Sequence, residues 1–374
     1  MNILVTGAEG FIGRNLALAV SRLPDHHVLA CGRTTAAAER NRLLGQADVV
    51  IHLAGVNRPD DPAEFRKVNA DMTAEICDVL VEQGRRVPVV LASSTQASLD
   101  NAYGESKRLA EDVVRRYAER SGAPVAISRL PGVFGKWCRP NYNSVVATFC
   151  HNTARGLPLT VSDPLRQLDL VYVDDVVRVL LVAVASLPTR AAATVEEPVV
   201  APVFTVTLGR LVQLVQEFRA SRQTLELTDM TDLFSQRLYT TYLSYLPTDQ
   251  FAYDLTQHSD PRGVLAEMIK GQAFGQMFVS RTKPGITRGN HYHDAKVEKF
   301  VVVEGEAVIR FRHILTSEMV EYPVTGRAFR VVDIPPGWAH SIENVGPSEL
   351  VVLFWANERF NPAVPDTYAA QVLP

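Results

Sequence analysis

An apolar run over residues 1–6 ends in Thr6-Gly7-Ala8-Glu9-Gly10-Phe11-Ile12-Gly13 and passes directly into a helical pattern over 11–23. Strand, glycines and helix in that order leave few folds open. Gly7 permits a tight turn, Gly10 lets backbone approach a pyrophosphate, and Gly13 lets the helix lie close on the strand. The helix start then offers free N–H groups and the positive end of its dipole to phosphate. Gly7, Gly10, Phe11, Ile12 and Gly13 are therefore candidate cofactor-binding residues.

Strand-like runs recur over 28–31, 48–53, 87–92, 124–129 and 168–172, with helical patterns over 63–83 and 104–121 between them. Strands alternating with helices predict an α/β doubly wound parallel sheet. From Gly271 onward the pattern changes to short runs broken by Gly, Pro and Asn, over 276–281, 298–303, 307–313, 330–334 and 350–355. That predicts an all-β barrel or sandwich. A chain of 374 residues, 47% hydrophobic, carries apolar material for two cores, because single cores stop growing near ~250–300 residues. We expect one domain over 1–245, a linker near 246–254 broken by Pro247 and Asp249, and a second domain over 252–370. A net charge of −3 gives no basic stripe for nucleic acid. The apolar stretch over 176–187 contains Arg178 and is too short for a bilayer. Four scattered cysteines without a CxxC pair read as free thiols, and the start lacks a signal-peptide pattern, so a cytoplasmic protein is expected.

The second strand ends in Cys31-Gly32-Arg33, where an acidic residue would hold the ribose hydroxyl of NAD. Arg33 can pair instead with the 2′-phosphate of NADP(H), which is the expected cofactor. Tyr103 and Lys107 stand at i and i+4, on one helix face. A lysine charge there should lower the tyrosine pKa and suit it to proton transfer at a carbonyl or alcohol oxygen. Ser94 closes the fourth strand and can hold the same oxygen, with Thr95 as the alternative. Together these motifs resemble the extended short-chain dehydrogenase/reductase family, a Rossmann fold. The first segment is similar to its TGxxGxxG motif, and Ser94, Tyr103 and Lys107 to its catalytic set. The resemblance implies that His52, Leu53, Ala54 and Gly55 border the adenine side, that Asn69 is its helix asparagine, and that Asn143 and Arg166 hold a sugar nucleotide. Arg58 is a weaker candidate for a substrate anion. The short spacer between Arg33 and Asp48 departs from the family and implies a missing strand.

In the second domain His291 and His293 flank Tyr292, Glu298 follows, and His340 lies after Pro335-Pro336-Gly337. Three imidazoles and one carboxylate suit Zn, Fe, Mn, Ni or Cu, with room for a water or substrate. The segment resembles the cupin superfamily. Its first motif is matched from Gly285 to Gly305, and its second from Pro335 to Asn344, with Phe329 in place of the leading glycine. Arg288-Gly289-Asn290-His291-Tyr292 also resembles metal-free sugar epimerases of the same barrel, in which the histidine is a base. His291 as ligand and His291 as base are competing readings, and Lys296 and Tyr322 are further acid–base candidates.

A reductase followed by a cupin barrel resembles the CapF-like reductases of capsular polysaccharide synthesis. That resemblance implies NADPH-dependent reduction of the C4 ketone of a UDP-linked 2-acetamido-2,6-dideoxy keto sugar, cupin-linked C3 epimerisation, zinc and a homodimer. The rival reading is a nucleotide-sugar epimerase or dehydratase that recycles its cofactor, with the barrel serving only dimerisation or sugar sensing.

Overall fold

Alternation within the first strand decides which side of the sheet each helix covers. In the computed structural model, described for residues 1–256, 258–260, 263–265, 269, 275–358 and 363–373, β1 (Asn2–Thr6) sends Ile3 and Val5 to one face and Leu4 to the other. Ile3 and Val5 pack with Leu16 and Val20 of α1 (Phe11–Val20). Leu4 packs on the opposite face. The sheet continues with β2 (His27–Cys31), then α2 (Ala37–Leu44), β3 (Val49–His52), α3 (Met72–Glu82), β4 (Val89–Ser94), α4 (Ala102–Ser121) and β5 (Val125–Leu130). Ile76 and Leu80 of α3 and Val114 and Tyr117 of α4 join Leu4 in its core. Each such fully buried aliphatic side chain contributes about 1.5–3 kcal/mol by leaving water.

After β5 come β6 (Gly132–Phe134), α5 (Val145–Ala154), β7 (Gln167–Tyr172), α6 (Val173–Ser186), β8 (Val195–Glu196) and β9 (Phe204–Thr207). The main sheet has the order β2-β1-β3-β4-β5-β8, with every pair parallel. Because only α2 separates β2 from β3, the sheet ends at β2, and the strand implied to be missing is absent there. The run expected over 168–172 does form a strand, but it joins a separate three-stranded sheet, β6-β7-β9. A run that pairs with a neighbour outside the main sheet looks no different in sequence.

The remaining elements are α7 (Leu208–Thr224), α8 (Leu233–Leu243) and strands β10 (Ala252–Asp254), β11 (His258–Asp260), β12 (Gly263–Leu265), β13 (Gln276–Thr282), β14 (Thr287–Tyr292), β15 (Glu298–Glu304), β16 (Glu306–His313), β17 (Met319–Thr325), β18 (Arg330–Ile334), β19 (Trp338–Asn344), β20 (Leu350–Ala356) and β21 (Tyr368–Ala369). The strands form two five-stranded sheets, β10-β18-β15-β20-β13 and β17-β16-β19-β14-β21, and a separate pair β11-β12, all with antiparallel pairing. Gly271, where the β pattern was expected to begin, lies outside the described residues. The expected linker is part strand: Ala252–Asp254 pairs with Val332, Val331 and Arg330, and Phe251 is buried. β19 escaped the sequence pattern because it is buried along almost its whole length, which erases the two-residue alternation.

The chain divides into two compact units, residues 1–134, 141–144 and 167–206 in one, and 135–140, 145–166 and 207–374 in the other. Helices α5, α7 and α8 thus group with the barrel, although the expected division kept them with the parallel sheet. Arg222 of α7 forms an ion pair with Asp333 of β18, which is 0% exposed, and Lys299 of β15 reaches the same carboxylate at 2.6 Å. Burial pulls the Lys299 ammonium down, but Asp333 outweighs it and holds it above the usual lysine value. Among the described residues no helix is long and apolar enough to cross a membrane.

Candidate functional site

The glycine turn is built by exclusion. Gly7 has φ +70°, and a Cβ on it would lie 2.9 Å from the Ala54 nitrogen. A Cβ on Gly13 would lie 2.3 Å from the Gly7 carbonyl oxygen, so only glycine lets α1 approach this closely. No side chain caps α1 and no acidic residue stands in its first turn, so its N–H groups remain available to an anion. Phe11 and Ile12 form that first turn and are half-buried.

His52 is 1% exposed and commits both ring nitrogens, Nδ1 to the Thr6 hydroxyl at 2.6 Å and Nε2 to the Thr73 hydroxyl at 2.9 Å. Thr73 donates its own proton to the Asn69 carbonyl, so it accepts from Nε2–H, and Nδ1 accepts from Thr6. Burial pushes this imidazole down to about 3, and the neighbouring Lys107 charge adds to the effect. His52 is therefore a neutral buttress behind the turn. Leu53 and Ala54 are half-buried and Gly55 is exposed. Asn69 was expected only by resemblance, and its work is visible: Oδ1 accepts from Val56 N–H at 2.8 Å, while Nδ2 donates to the Val56 carbonyl and to Ser106 Oγ, each at 3.0 Å. It sits in a π-helical stretch, Phe65–Asp71, ahead of α3.

Ser94 ends β4, and Tyr103 and Lys107 lie in the first turns of α4, whose start is capped by Asn101 accepting from Gly104 N–H at 2.8 Å. The Lys107 ammonium donates to the Ala92 carbonyl at 2.9 Å, and burial pushes it down to about 8 against the pull of Glu111. Burial pushes the Tyr103 phenol up, and a hydrogen bond with Ser94 pulls it part of the way back. The expected lowering by Lys107 is not found; its ammonium donates to the Ala92 carbonyl, and desolvation of the phenol prevails. The tilted Phe65 ring, 5.7 Å from that of Tyr103, is part of its apolar surround.

Arg33 is exposed, and its side chain pairs with no other described residue. The sequence suggested that no carboxylate stands by the end of β2. One does: Glu9 lies there through space, its carboxylate oxygens 2.7 and 2.8 Å from where a Cβ on Gly32 would be. Asn143 and Arg166 are both exposed, and they belong to different compact units. Arg58 donates to the Tyr142 carbonyl at 2.9 Å.

In the barrel, ligand atoms of His291, His293, Glu298 and His340 all lie within 4.8 Å of one another. His291 of β14 and His340 of β19 are cross-strand partners and so face the same way, with ring centroids 4.6 Å apart. A bulge between Gly289 and His291 sets that register. β14 ends at Tyr292, so His293 lies at the start of the following turn, and Glu298 opens β15 in the other sheet. Glu298 Oε2 is 3.3 Å from His293 Nε2 and 3.5 Å from His340 Nε2. Both Nε2 atoms are buried without a hydrogen-bond partner. Burial pushes His291 down to about 4 and lowers His340. Burial alone would raise Glu298, but His293 and His340 outweigh it and hold the carboxyl well below the usual range. Neutral imidazoles and an ionised carboxylate are the forms that ligate a divalent cation, so the residues fit a metal.

Sequence reasoning missed the frame of this cluster. Asp366 accepts from the N–H groups of Asp294, Ala295 and Lys296 at 2.9, 2.7 and 2.6 Å, and its carbonyl oxygen bonds His293 Nδ1. Thr240 of α8 donates to the Ala295 carbonyl at 2.8 Å. These contacts span at least 55 residues, so no local pattern announces them. Lys296 Nζ lies 4.0 Å from Glu298 Oε1, whereas Tyr322 donates to the Thr248 carbonyl.

Residues 3–192 match the NAD dependent epimerase/dehydratase family, and residues 258–368 match the polysaccharide biosynthesis C-terminal domain. A protein of Pseudomonas aeruginosa named UDP-2-acetamido-2,6-beta-L-arabino-hexul-4-ose reductase is 43% identical over 372 residues, covering 100% of this chain and 99% of its own length. The crystal structure of the capsular polysaccharide assembling protein CapF from Staphylococcus aureus is similar over 100% of both chains, with 46% identity and a TM-score of 0.68. A UDP-glucuronic acid 4-epimerase from Bacillus cereus shares the fold over 58% of this chain and 82% of its own, at 19% identity and a TM-score of 0.52. The chain thus belongs to the NAD dependent epimerase/dehydratase family, as a CapF-like member whose nucleotide-binding half is joined to a polysaccharide biosynthesis C-terminal domain.

Proposed function

We propose that this protein is an NADPH-dependent reductase of the C4 ketone of a UDP-2-acetamido-2,6-dideoxy-hexos-4-ulose, and that its barrel carries out C3 epimerisation of the keto sugar in UDP-N-acetyl-L-fucosamine and capsular polysaccharide synthesis. The observation that carries the reduction is the likeness, along the whole chain, to a relative named as a reductase of this sugar class. The meeting of Ser94 and Tyr103 beside Lys107 supports it.

When bound, NADPH supplies a hydride to the carbonyl carbon, and a divalent metal, proposed as zinc, polarises a ketone in the barrel. Ser94 holds the carbonyl oxygen, Tyr103 gives it a proton as the carbon accepts the hydride, and solvent returns that proton to Tyr103. Lys107 places its charge at the end of β4, where it also holds the nicotinamide ribose. Gly7, Gly10, Gly13 and the open start of α1 receive the pyrophosphate, with Phe11 and Ile12 in its first turn. Leu53, Ala54 and Gly55 line the adenine side, which His52 supports from behind. Arg33 supplies a charge for the 2′-phosphate, and Glu9 limits the preference it gives. Asn143 is proposed as a contact for the sugar nucleotide, and Arg166 separately as a charge that can pair with a diphosphate. In the barrel His291, His293, Glu298 and His340 hold the metal. The working form proposed is a cytoplasmic homodimer.

NADPH absorbance with the UDP-linked 4-keto sugar tests the reduction. Stoichiometric loss is expected for the intact protein, with a fall of roughly 10²–10⁴-fold in kcat for Tyr103→Phe. No consumption by the intact protein would sink the assignment. For the barrel, solvent deuterium should enter the carbon beside the ketone, and chelation should stop it.

A further inference from the structure

The metal ligands are held from a part of the chain that no motif marks. Residues 135–140 follow β6 in sequence but belong to the barrel's compact unit. Lys136 is 1% exposed, and its ammonium lies 3.8 Å from Asp294, the residue after His293. Trp137 has φ +69° and lies against Gly337: a Cβ there would come 2.8 Å from Trp137 Cζ2. Gly337 has φ +77°, so glycine is required both by backbone and by the indole. Gly337 N–H donates to the His293 carbonyl at 2.9 Å, and its own carbonyl accepts from Ile314 N–H at 3.2 Å. Two residues further on, Ala339 leads into His340. The His313 ring lies 6.1 Å from Trp137 and 4.9 Å from Trp338, continuing the same aromatic wall. Tyr245 anchors the far end of the segment by donating to the Cys138 carbonyl.

We infer that Lys136 and Trp137 are positioning residues of the metal centre. Lys136 fixes the turn leaving His293 through Asp294, and Trp137 backs the glycine turn that delivers His340. One ligand from a turn and one from a strand are thereby held in one register by a single six-residue segment. This inference rests on the reading of the four-residue cluster as a metal site. Residues that orient ligands without touching the ion typically change its affinity by about 10–100-fold.

The test is zinc affinity of the full-length protein, measured by competition with a chromophoric chelator. Wild type is compared with Lys136→Met, Lys136→Arg and Trp137→Phe, each first shown to be folded by its NADPH affinity and circular dichroism. Val301→Ala, a core change on β15, serves as a control of lowered stability. Expected are losses of about 10–100-fold for Lys136→Met and smaller losses for Trp137→Phe, recovery in Lys136→Arg, and wild-type affinity in Val301→Ala. Folded variants with wild-type affinity would overturn the positioning role. So would an equal loss in Val301→Ala, which would mark the segment as merely stabilising. A wild-type protein that takes up no zinc, manganese or nickel removes the metal centre itself, and is told apart by the absence of any uptake to compare.

Discussion

The two centres solve opposite problems with their polar atoms. Around the glycine turn, Thr6, His52, Asn69, Thr73 and Lys107 hydrogen-bond one another and the backbone. In the barrel, His293 and His340 each keep a buried Nε2 without a hydrogen bond, next to an ionised carboxylate. A buried group left unsatisfied costs about 1–3 kcal/mol. The first centre is complete as a frame and receives a ligand on its surface. The second keeps two buried nitrogens that a cation would satisfy.

That contrast can be broken most sharply at Glu298. Glu298→Ala should lower metal affinity by roughly 100-fold or more, since outer partners alone are worth about 10–100-fold. NADPH affinity, read by fluorescence titration, should stay unchanged; a parallel fall would show that the two centres are not separable. Free metal at about a hundred times its Kd should stabilise wild type by about 2.7 kcal/mol and the variant by about 0.4 kcal/mol or less, seen as a shift in Tm.

Asn69→Ala asks the opposite question, whether a finished frame tolerates a missing piece. It leaves Val56 N–H, the Val56 carbonyl and Ser106 without their partner, so a loss of about 1–3 kcal/mol is expected in urea unfolding, with metal affinity intact. Lys107 gives a pH signature that the barrel lacks. Its folded pKa, about 8, is below the ordinary lysine value of 10.5, so the unfolded chain binds the extra proton between these values. Stability should therefore rise with pH across that window. NADPH affinity should fall above about pH 8 as the charge is lost, and Lys107→Met should flatten both profiles. The smallest effect is expected at Glu9. Glu9→Gln removes an exposed charge beside Gly32 and should favour NADPH over NADH by about 1 kcal/mol or less, roughly five-fold at most, measured as the ratio of kcat/KM values.

The glycine turn and the four-residue cluster that the structure brings together were legible, because the chemistry they suit fixes residue type and local spacing. Gly7, Gly10 and Gly13 mark a turn that other residues cannot make, and His291, His293, Glu298 and His340 keep motif intervals across adjoining strands. What supports them was not. Asp366 lies 70 to 72 residues from the backbone it caps, and Lys136 meets Asp294 from another part of the chain. Such contacts exist only once the fold brings the partners together. Glu9 shows the same limit in reverse: acidity at the end of β2 was sought in the neighbouring sequence and arrives from the glycine turn. The almost fully buried β19 and the short β21 fail for want of alternation and of length.

The ion pairs at Asp333 decide how this protein can be taken apart. A cut at residue 252, the natural place by sequence, would leave the Arg222 guanidinium on the wrong fragment. Asp333 would then depend on Lys299 alone for its charge partner. Breaking a buried pair in this way costs about 3–5 kcal/mol. The smallest inheritable barrel therefore begins no later than α7, and any transplant of the His291, His293, Glu298 and His340 cluster into another enzyme has to carry that helix with it.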